Sequence, residues 1–311
     1  MMIDSKQAVL LIKKEAARLG FDACGIAAAG GVAETDRTHL SEWLEAGYAA
    51  EMNYMHNHFE KRIDPRELVE GARSLVMVAL NYYPSAFRKE HDPQFAYYAY
   101  GKDYHDVIKE KLKSLFEYIN THIAPVTGRI FTDSAPVLDR YWAVQAGLGF
   151  IGKNGNLIIP GKGSYFFIGE LIIDLQLPAD SPVKGSCGSC TRCLDACPPK
   201  ALRGARKLDA RRCISYQTIE NRGEIDAAVV SVLNNRVYGC DICQQVCPWN
   251  RFASPHATPE LQPTEEFLAL DREGLEKMTP EEFSRIFKGS AVKRAGFKGL
   301  RRNVEALGKG E

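Results

Sequence analysis

The chain has 311 residues, 45% of them hydrophobic and 25% charged, with a formal net charge of +1 and nine cysteines. That is ordinary globular composition. It excludes a polycation, and with no apolar run near the roughly 18 residues a membrane helix needs, it gives no reason to expect a membrane span.

The N-terminal stretch reads as an amphipathic helix opened by Asp4 or Ser5 and stopped at Gly20. Its apolar run is short and broken by lysines and a glutamate, unlike a signal peptide, so a cytoplasmic protein is expected. SLVMVALNYY, 74–83, predicts a buried strand. Residues 103–122 predict a helix capped by Asp103, with Val107, Ile108, Leu112, Leu115 and Ile119 on one face; Tyr104 and His105 at its start read as core or capping groups. GRIFTDSA, 128–135, predicts a short strand, and a helix is expected from Pro136 to the glycine turn at Gly147 and Gly149. SYFFIGELIIDL, 164–175, predicts a second long buried strand. The pattern is α/β or α+β. The glycines of 147–156 follow a helix rather than a strand, which argues against a dinucleotide fingerprint. No histidine box for cobalamin is present either: Asp103-Tyr104-His105 has isoleucine where the glycine would stand.

The cysteines carry the chemistry. CGSCTRCLDACP, 187–198, has the C-x2-C-x2-C-x3-C-P spacing of bacterial ferredoxins. Three cysteines on a tight loop reach three corners of a cubane, and the fourth has turned away toward a second cluster. Cys187, Cys190 and Cys193 would then hold one cluster, closed by Cys247. Cys197 would join Cys213, Cys240 and Cys243 around the other. Two [4Fe–4S] clusters use eight thiolates, four and four; zinc is the other reading of such pairs. Disulfides do not suit a reducing compartment. Cys24 is left over as a small buried hydrophobe. Clusters sharing ligands in this crossed way lie close together and can pass electrons to a further acceptor.

Basic residues concentrate in two places: residues 200–212, and residues 285–311, where only Glu305 and Glu311 oppose them. Such patches can grip phosphates, or stand simply as solvated faces.

Taken together, EKRIDP (60–65), YGKDYHDVIKEKL (100–112), TDSAPVLDR (132–140), GLGFIGKN (147–154), RCISY (212–216) and NRVYGCDICQQVCPWN (235–250) resemble the epoxyqueuosine reductases over nearly the whole chain. The resemblance implies an α+β protein in three parts. Residues 1–180 would form an α/β sandwich that binds cobalamin without a histidine ligand. Residues 181–255 would form the ferredoxin-like part with two [4Fe–4S] clusters. Residues 256–311 would be a basic helical tail in place of the longer HEAT-like repeats of many members. It implies reduction of epoxyqueuosine to queuosine at the wobble position of tRNAs with a GUN anticodon, the last step of queuosine synthesis. A low-potential electron donor, not identified by the sequence, would feed a monomer.

The resemblance makes Asp133 the proton donor, and burial against the corrin is expected to outweigh a helix N-terminus in setting its proton affinity. Asp139 is the next candidate, though Asp139-Arg140 reads as a surface pair. Arg62, Asp133, Lys153, Asn154, Ser215 and Asp241 would lie against cobalamin. Arg294, Lys298, Arg301 and Arg302 would meet the anticodon stem. Two other readings share these features: a corrinoid reductive dehalogenase acting on a small organohalide, and a two-cluster electron carrier.

Overall fold

A computed structural model describes residues 4–308. Lys309 and Glu311 of the basic tail fall outside that range. Helix α1 spans Ser5–Arg18 and is followed by β1, Ala23–Ala28. Strand β2 is Ser74–Asn81, helix α2 Tyr104–His122, strand β3 Gly128–Phe131, helix α3 Asp139–Gln145 and strand β4 Phe166–Ile173. The four strands form one antiparallel sheet in the order β1-β2-β4-β3.

Strand β2 explains the architecture. All eight of its residues are buried, as expected for a strand covered on both faces. Period-2 alternation sends Val76, Val78 and Leu80 to one side and Leu75, Met77 and Ala79 to the other. The first side meets Ile12 of α1 and Ile108, Leu112, Leu115 and Ile119 of α2, the last four fully buried. Truncating one such leucine to alanine costs roughly 2–5 kcal/mol. The second side meets Trp142 and Ala143 of α3. Gly25 of β1 passes so close to α3 that a Cβ there would fall 1.9 Å from the Ala146 carbonyl oxygen.

Helix α2 begins as expected, with the Asp103 carboxylate accepting the His105 backbone N–H at 3.0 Å. The stretch after β3 departs from expectation. The strand ends at Phe131, where Thr132 turns its hydroxyl to the Ile168 carbonyl. No helix opens at Pro136; α3 starts at Asp139. Seven residues are left between β3 and α3, and Asp133 among these takes a left-handed backbone with φ 47°.

The remainder packs as a third core. Phe95, Ala99 and Tyr100 join Ile214, Ile219, Val237 and Tyr238, and against them lie Phe267, Phe283, Phe287, Leu300 and Val304 from the C-terminal helices. A two-residue strand, Gln94–Phe95, pairs in parallel with Arg236–Tyr238 and stitches the halves together. Gly101 sits at the same junction: a Cβ would lie 2.4 Å from the Leu261 backbone. Among the described residues no helix is long and apolar enough to cross a membrane.

Candidate active site

The eight motif cysteines fall into two groups in space. Burial raises the Cys193 thiol pKa, with Cys187 and Cys247 adding to it. Burial likewise raises Cys247, with Cys187 and Cys190 adding. Burial pushes Cys243 well up, and Cys240, Cys213, Asp241 and Cys197 add to it. Chain geometry makes the crossing. The short helix Arg192–Ala196 carries Cys193 and ends at an extended Cys197, whose sulfur accepts the Ala201 N–H at 3.3 Å. That helix packs on Ile242–Gln245 of the second motif. Among the described residues no three His, Cys, Asp or Glu side chains close around one point as a single ion requires. Four thiols to a group match the one thiolate per iron that a [4Fe–4S] cluster takes. Cys24, on β1, is half-buried as a residue, and burial pushes its thiol up to about 12.

Lys153 and Asn154 hold these loops. The Lys153 ammonium donates to the carbonyls of Gly188 (2.8 Å) and Cys190 (2.9 Å), and its N–H points to the Cys187 sulfur at 3.4 Å. Asn154 donates to the Cys243 carbonyl at 3.3 Å. Both side chains expected to face a corrin are therefore engaged by the cysteine loops. Asp241 is buried and accepts the Tyr97 N–H at 2.7 Å, tethering the 97–99 turn to the second motif. Ser215 lies half-buried in the helix Ile214–Ile219 that follows Cys213. A cavity of about 800 Å³ lies beside Cys247, lined by Arg192, Asp195, Asn250 and Arg251. It shares no lining residue with the Asp133 side.

Asp133 stands exposed at the end of β3. No helix opens at Asp133 itself: α3 starts only at Asp139. Instead the Tyr104 hydroxyl donates to its Oδ2 at 2.7 Å. Tyr104 is itself fixed by stacking on Phe167, centroids 4.2 Å apart and planes 6° apart. Tyr104, expected as a core or capping residue, also holds this carboxylate through its hydroxyl. His105 stacks on its other side and bonds Asp103 at 2.6 Å.

Arg62 is buried, donates to the Tyr54 carbonyl at 2.7 Å, and leaves its Nε without a partner among the described residues. Burial lowers its pKa, while Asp139, Tyr54 and Asp133 hold its charge in place. Tyr54 is 46% exposed and is also close enough to feel Glu220 and Arg294. The C-terminal segment therefore borders the Asp133 side. An orphaned buried guanidinium N–H, an exposed acid and an exposed aromatic on one side of a fold that also carries eight grouped thiols fit a large polar-edged cofactor.

Asp139 does not pair with Arg140, whose guanidinium donates instead to the Gly155 carbonyl at 3.0 Å. Its carboxyl turns inward to Glu170, on the buried strand β4. Glu170 is fully buried and was missed in the sequence; the signal was a lone acid inside FFIGELII. The C-terminal basic residues are less free than expected. Arg302 donates to the backbone carbonyls of Asn221 and Gln217 at 2.8 Å, and Arg294 pairs with Glu220 at 2.8 Å. Arg301 pairs with Glu305 at 3.0 Å, and Lys298 is exposed.

Fold and site define an α+β protein that carries an exposed acid held by a tyrosine hydroxyl and eight cysteines grouped four and four. Residues 186–250 match the family described as "4Fe-4S double cluster binding domain", and residues 62–134 the family "Epoxyqueuosine reductase QueG, DUF1730". Epoxyqueuosine reductase of Leadbetterella byssophila is 51% identical over 293 residues, covering 94% of this chain and 96% of that protein. A crystal structure of epoxyqueuosine reductase with a tRNA-Tyr epoxyqueuosine-modified stem loop superposes with a TM-score of 0.91 at 31% identity, covering 99% of this chain and 82% of that one. A Bacillus subtilis epoxyqueuosine reductase, described with its catalytic aspartate loop swung out of the active site, superposes at 0.90 and 31% identity, over 99% of this chain and 82% of its own. The chain belongs to the epoxyqueuosine reductase family. The reductive dehalogenase NpRdhA shares the fold, with a TM-score of 0.52 at 17% identity over 98% of this chain and 38% of its own.

Proposed function

We propose that this protein reduces epoxyqueuosine in tRNA to queuosine, using cobalamin and two [4Fe–4S] clusters. The observation that carries the reading is the placement of Asp133 and its Tyr104 partner on the same side as Arg62 and Tyr54, in one body with eight cysteines grouped four and four. Cys187, Cys190, Cys193 and Cys247 hold one cluster; Cys197, Cys213, Cys240 and Cys243 hold the other. Arg62, Asp133, Lys153, Asn154, Ser215 and Asp241 would lie against cobalamin. Lys153 and Asn154 also hold the cysteine loops, and Asp241 the 97–99 turn.

Cobalamin, when bound there, supplies a strongly nucleophilic cobalt(I) centre, and the clusters bring its electrons one at a time. The chain supplies the proton. Asp133 protonates the epoxide oxygen as its carbon–oxygen bond opens. Tyr104 holds Oδ2 and leaves Oδ1 for the substrate. The left-handed turn at Asp133 projects that carboxyl out of the sheet edge, on a loop of the kind described as swung out in the Bacillus subtilis enzyme. The tRNA, with a GUN anticodon, reaches this side with its wobble nucleotide out of the stack. Exposed Lys298 and Arg301 of the C-terminal helix Gly296–Leu307 are the residues offered to its phosphates.

The test is an anaerobic incubation of the reconstituted protein with cobalamin, a low-potential reductant and tRNA carrying epoxyqueuosine, followed by nucleoside mass spectrometry. Queuosine formed only with cobalamin present is the expected result. No queuosine from protein loaded with clusters and cobalamin would overturn the proposal.

A further inference from the structure

The reduction uses two protons per epoxide, and Asp133 carries one at a time. As the carbon–oxygen bond breaks, the oxygen takes the first proton. It takes the second as it leaves as water, while the electron pair from the reduced cofactors ends in the carbon–carbon double bond. Something must return a proton to Asp133 while bound substrate screens it from solvent.

Glu170 lies at the centre of the sheet, opposite Met77 of β2 and Phe131 of β3. It is fully buried, and among the described residues neither of its carboxylate oxygens has a hydrogen-bond donor. A buried ionised carboxylate without donors is one of the most costly groups a fold can hold. Strand alternation puts it on the face of Ile168 and Ile172, against which α3 packs, and the carboxyl that acts on it most strongly is Asp139 at the start of that helix. Two carboxyls in contact are satisfied when one proton sits between them, one acting as donor and the other as acceptor. The charged groups facing the pair are few. Asp133 is close enough to act on both acids, Arg140 acts on Asp139, and Asp139 in turn is felt by Arg62 and Tyr104.

We propose that Glu170 and Asp139 hold a shared proton behind Asp133 and return it to that acid during turnover, making the pair the internal proton reserve of the reaction. The inference rests on the reductase reading for its role in turnover. Burial raises Glu170 well above the ordinary glutamate value, with Asp139 adding. Asp139 lies between the buried Glu170 and the exposed Asp133 in environment, and the proton path runs in that order. Glu170 and Asp139 are positioning residues, since neither touches substrate.

The experiment begins with the intact, cluster-loaded protein and its infrared spectrum near neutral pH in H2O and D2O. A protonated-carboxyl band that shifts in D2O and is lost in Glu170→Gln is the expected result. The amide of that variant can still donate to Asp139, so packing is kept. Steady-state turnover on epoxyqueuosine tRNA then reads the role. In Glu170→Gln, kcat should fall about tenfold, less than the roughly 10²–10⁴ of a contacting acid, with KM unchanged. The alkaline limb of its kcat–pH profile should move to lower pH, because Asp133 must then be recharged from solvent. Should Glu170→Gln not fold, Asp139→Asn reads the same band and the same limb. No such band in the unmodified protein overturns the proposal, and so does a lost band with kcat and the limb unchanged. Failure of the unmodified protein to form queuosine would sink the functional reading, while the band would still report on the pair.

Discussion

Tyr104 donates its hydroxyl to Asp133 Oδ2 across 2.7 Å, joining the first turn of α2 to the turn after β3. Ring stacking on Phe167 survives loss of that hydroxyl, so Tyr104→Phe isolates the hydrogen bond. A bond to a charged acceptor is worth about 1.5–3 kcal/mol. Turnover should therefore fall roughly ten- to a hundredfold with both clusters intact, read by iron content and single-turnover formation of queuosine. Unchanged turnover would show that Asp133 needs no such support.

Asp133→Ala should keep clusters and cobalamin, read by absorbance and metal content, and lose about 10²–10⁴ in turnover. The left-handed backbone at this position favours Asp, Asn or Gly over Ala. Asp133→Asn is the cleaner companion: it keeps the turn and removes the acid. Near-normal activity in Asp133→Asn would place the proton donor elsewhere.

Cys197 lies in the first cysteine run but among the thiols of the second group. Cys197→Ala should damage the cluster held by Cys213, Cys240 and Cys243, whereas Cys193→Ala should damage the other. Electron paramagnetic resonance of the reduced proteins separates the two. Selective loss of the same cluster in both variants would refute the crossed arrangement.

The acid pair also predicts a pH dependence of stability. Burial, and then the charge of Asp133, raise Asp139 from 3.8 to about 6. The folded state binds a proton more tightly than the unfolded chain. The stability this contributes is present below 3.8 and is lost as pH rises through about 6. Asp139→Asn removes that term. Denaturation midpoints taken across this window should decline less with pH in the variant than in the unmodified protein; parallel curves would refute the assignment.

Arg302 and Lys298 share a helix but should behave differently. Arg302 is tied to the Gln217 and Asn221 carbonyls. Arg302→Ala should lower the melting temperature by a few degrees, for a loss of about 1–3 kcal/mol. Lys298→Ala should leave stability alone and reduce the salt slope of tRNA binding by about one phosphate contact. A melting shift in Lys298→Ala with no change in salt slope would contradict the assignment.

Much of this was legible in the chain. The cysteine spacings carried the grouping of thiols because a cubane and a short loop constrain one another locally. Strand β2 and helix α2 were readable because burial periodicity is a local property of the sequence. What could not be read is what meets across the sheet. Asp139 has Arg140 as its sequence neighbour, yet its carboxyl faces Glu170, 31 positions away. Pro136 suggested a helix start that the chain delays to Asp139, since the turn at Asp133 must first leave the sheet edge. Lys153 and Asn154 were placed near the site by the glycine turn, but their partners lie in cysteine loops far along the chain.

Those two adjacent residues carry a mechanical consequence. Lys153 grips the loop of Cys187 and Cys190, and Asn154 grips the loop of Cys243. One peptide unit of the N-terminal half thus acts as a common yoke for both metal-binding loops. A rocking motion of that turn would carry the two loops together and leave the gap between them unchanged. The spacing of the two loops is thereby referred to a single turn of the N-terminal half.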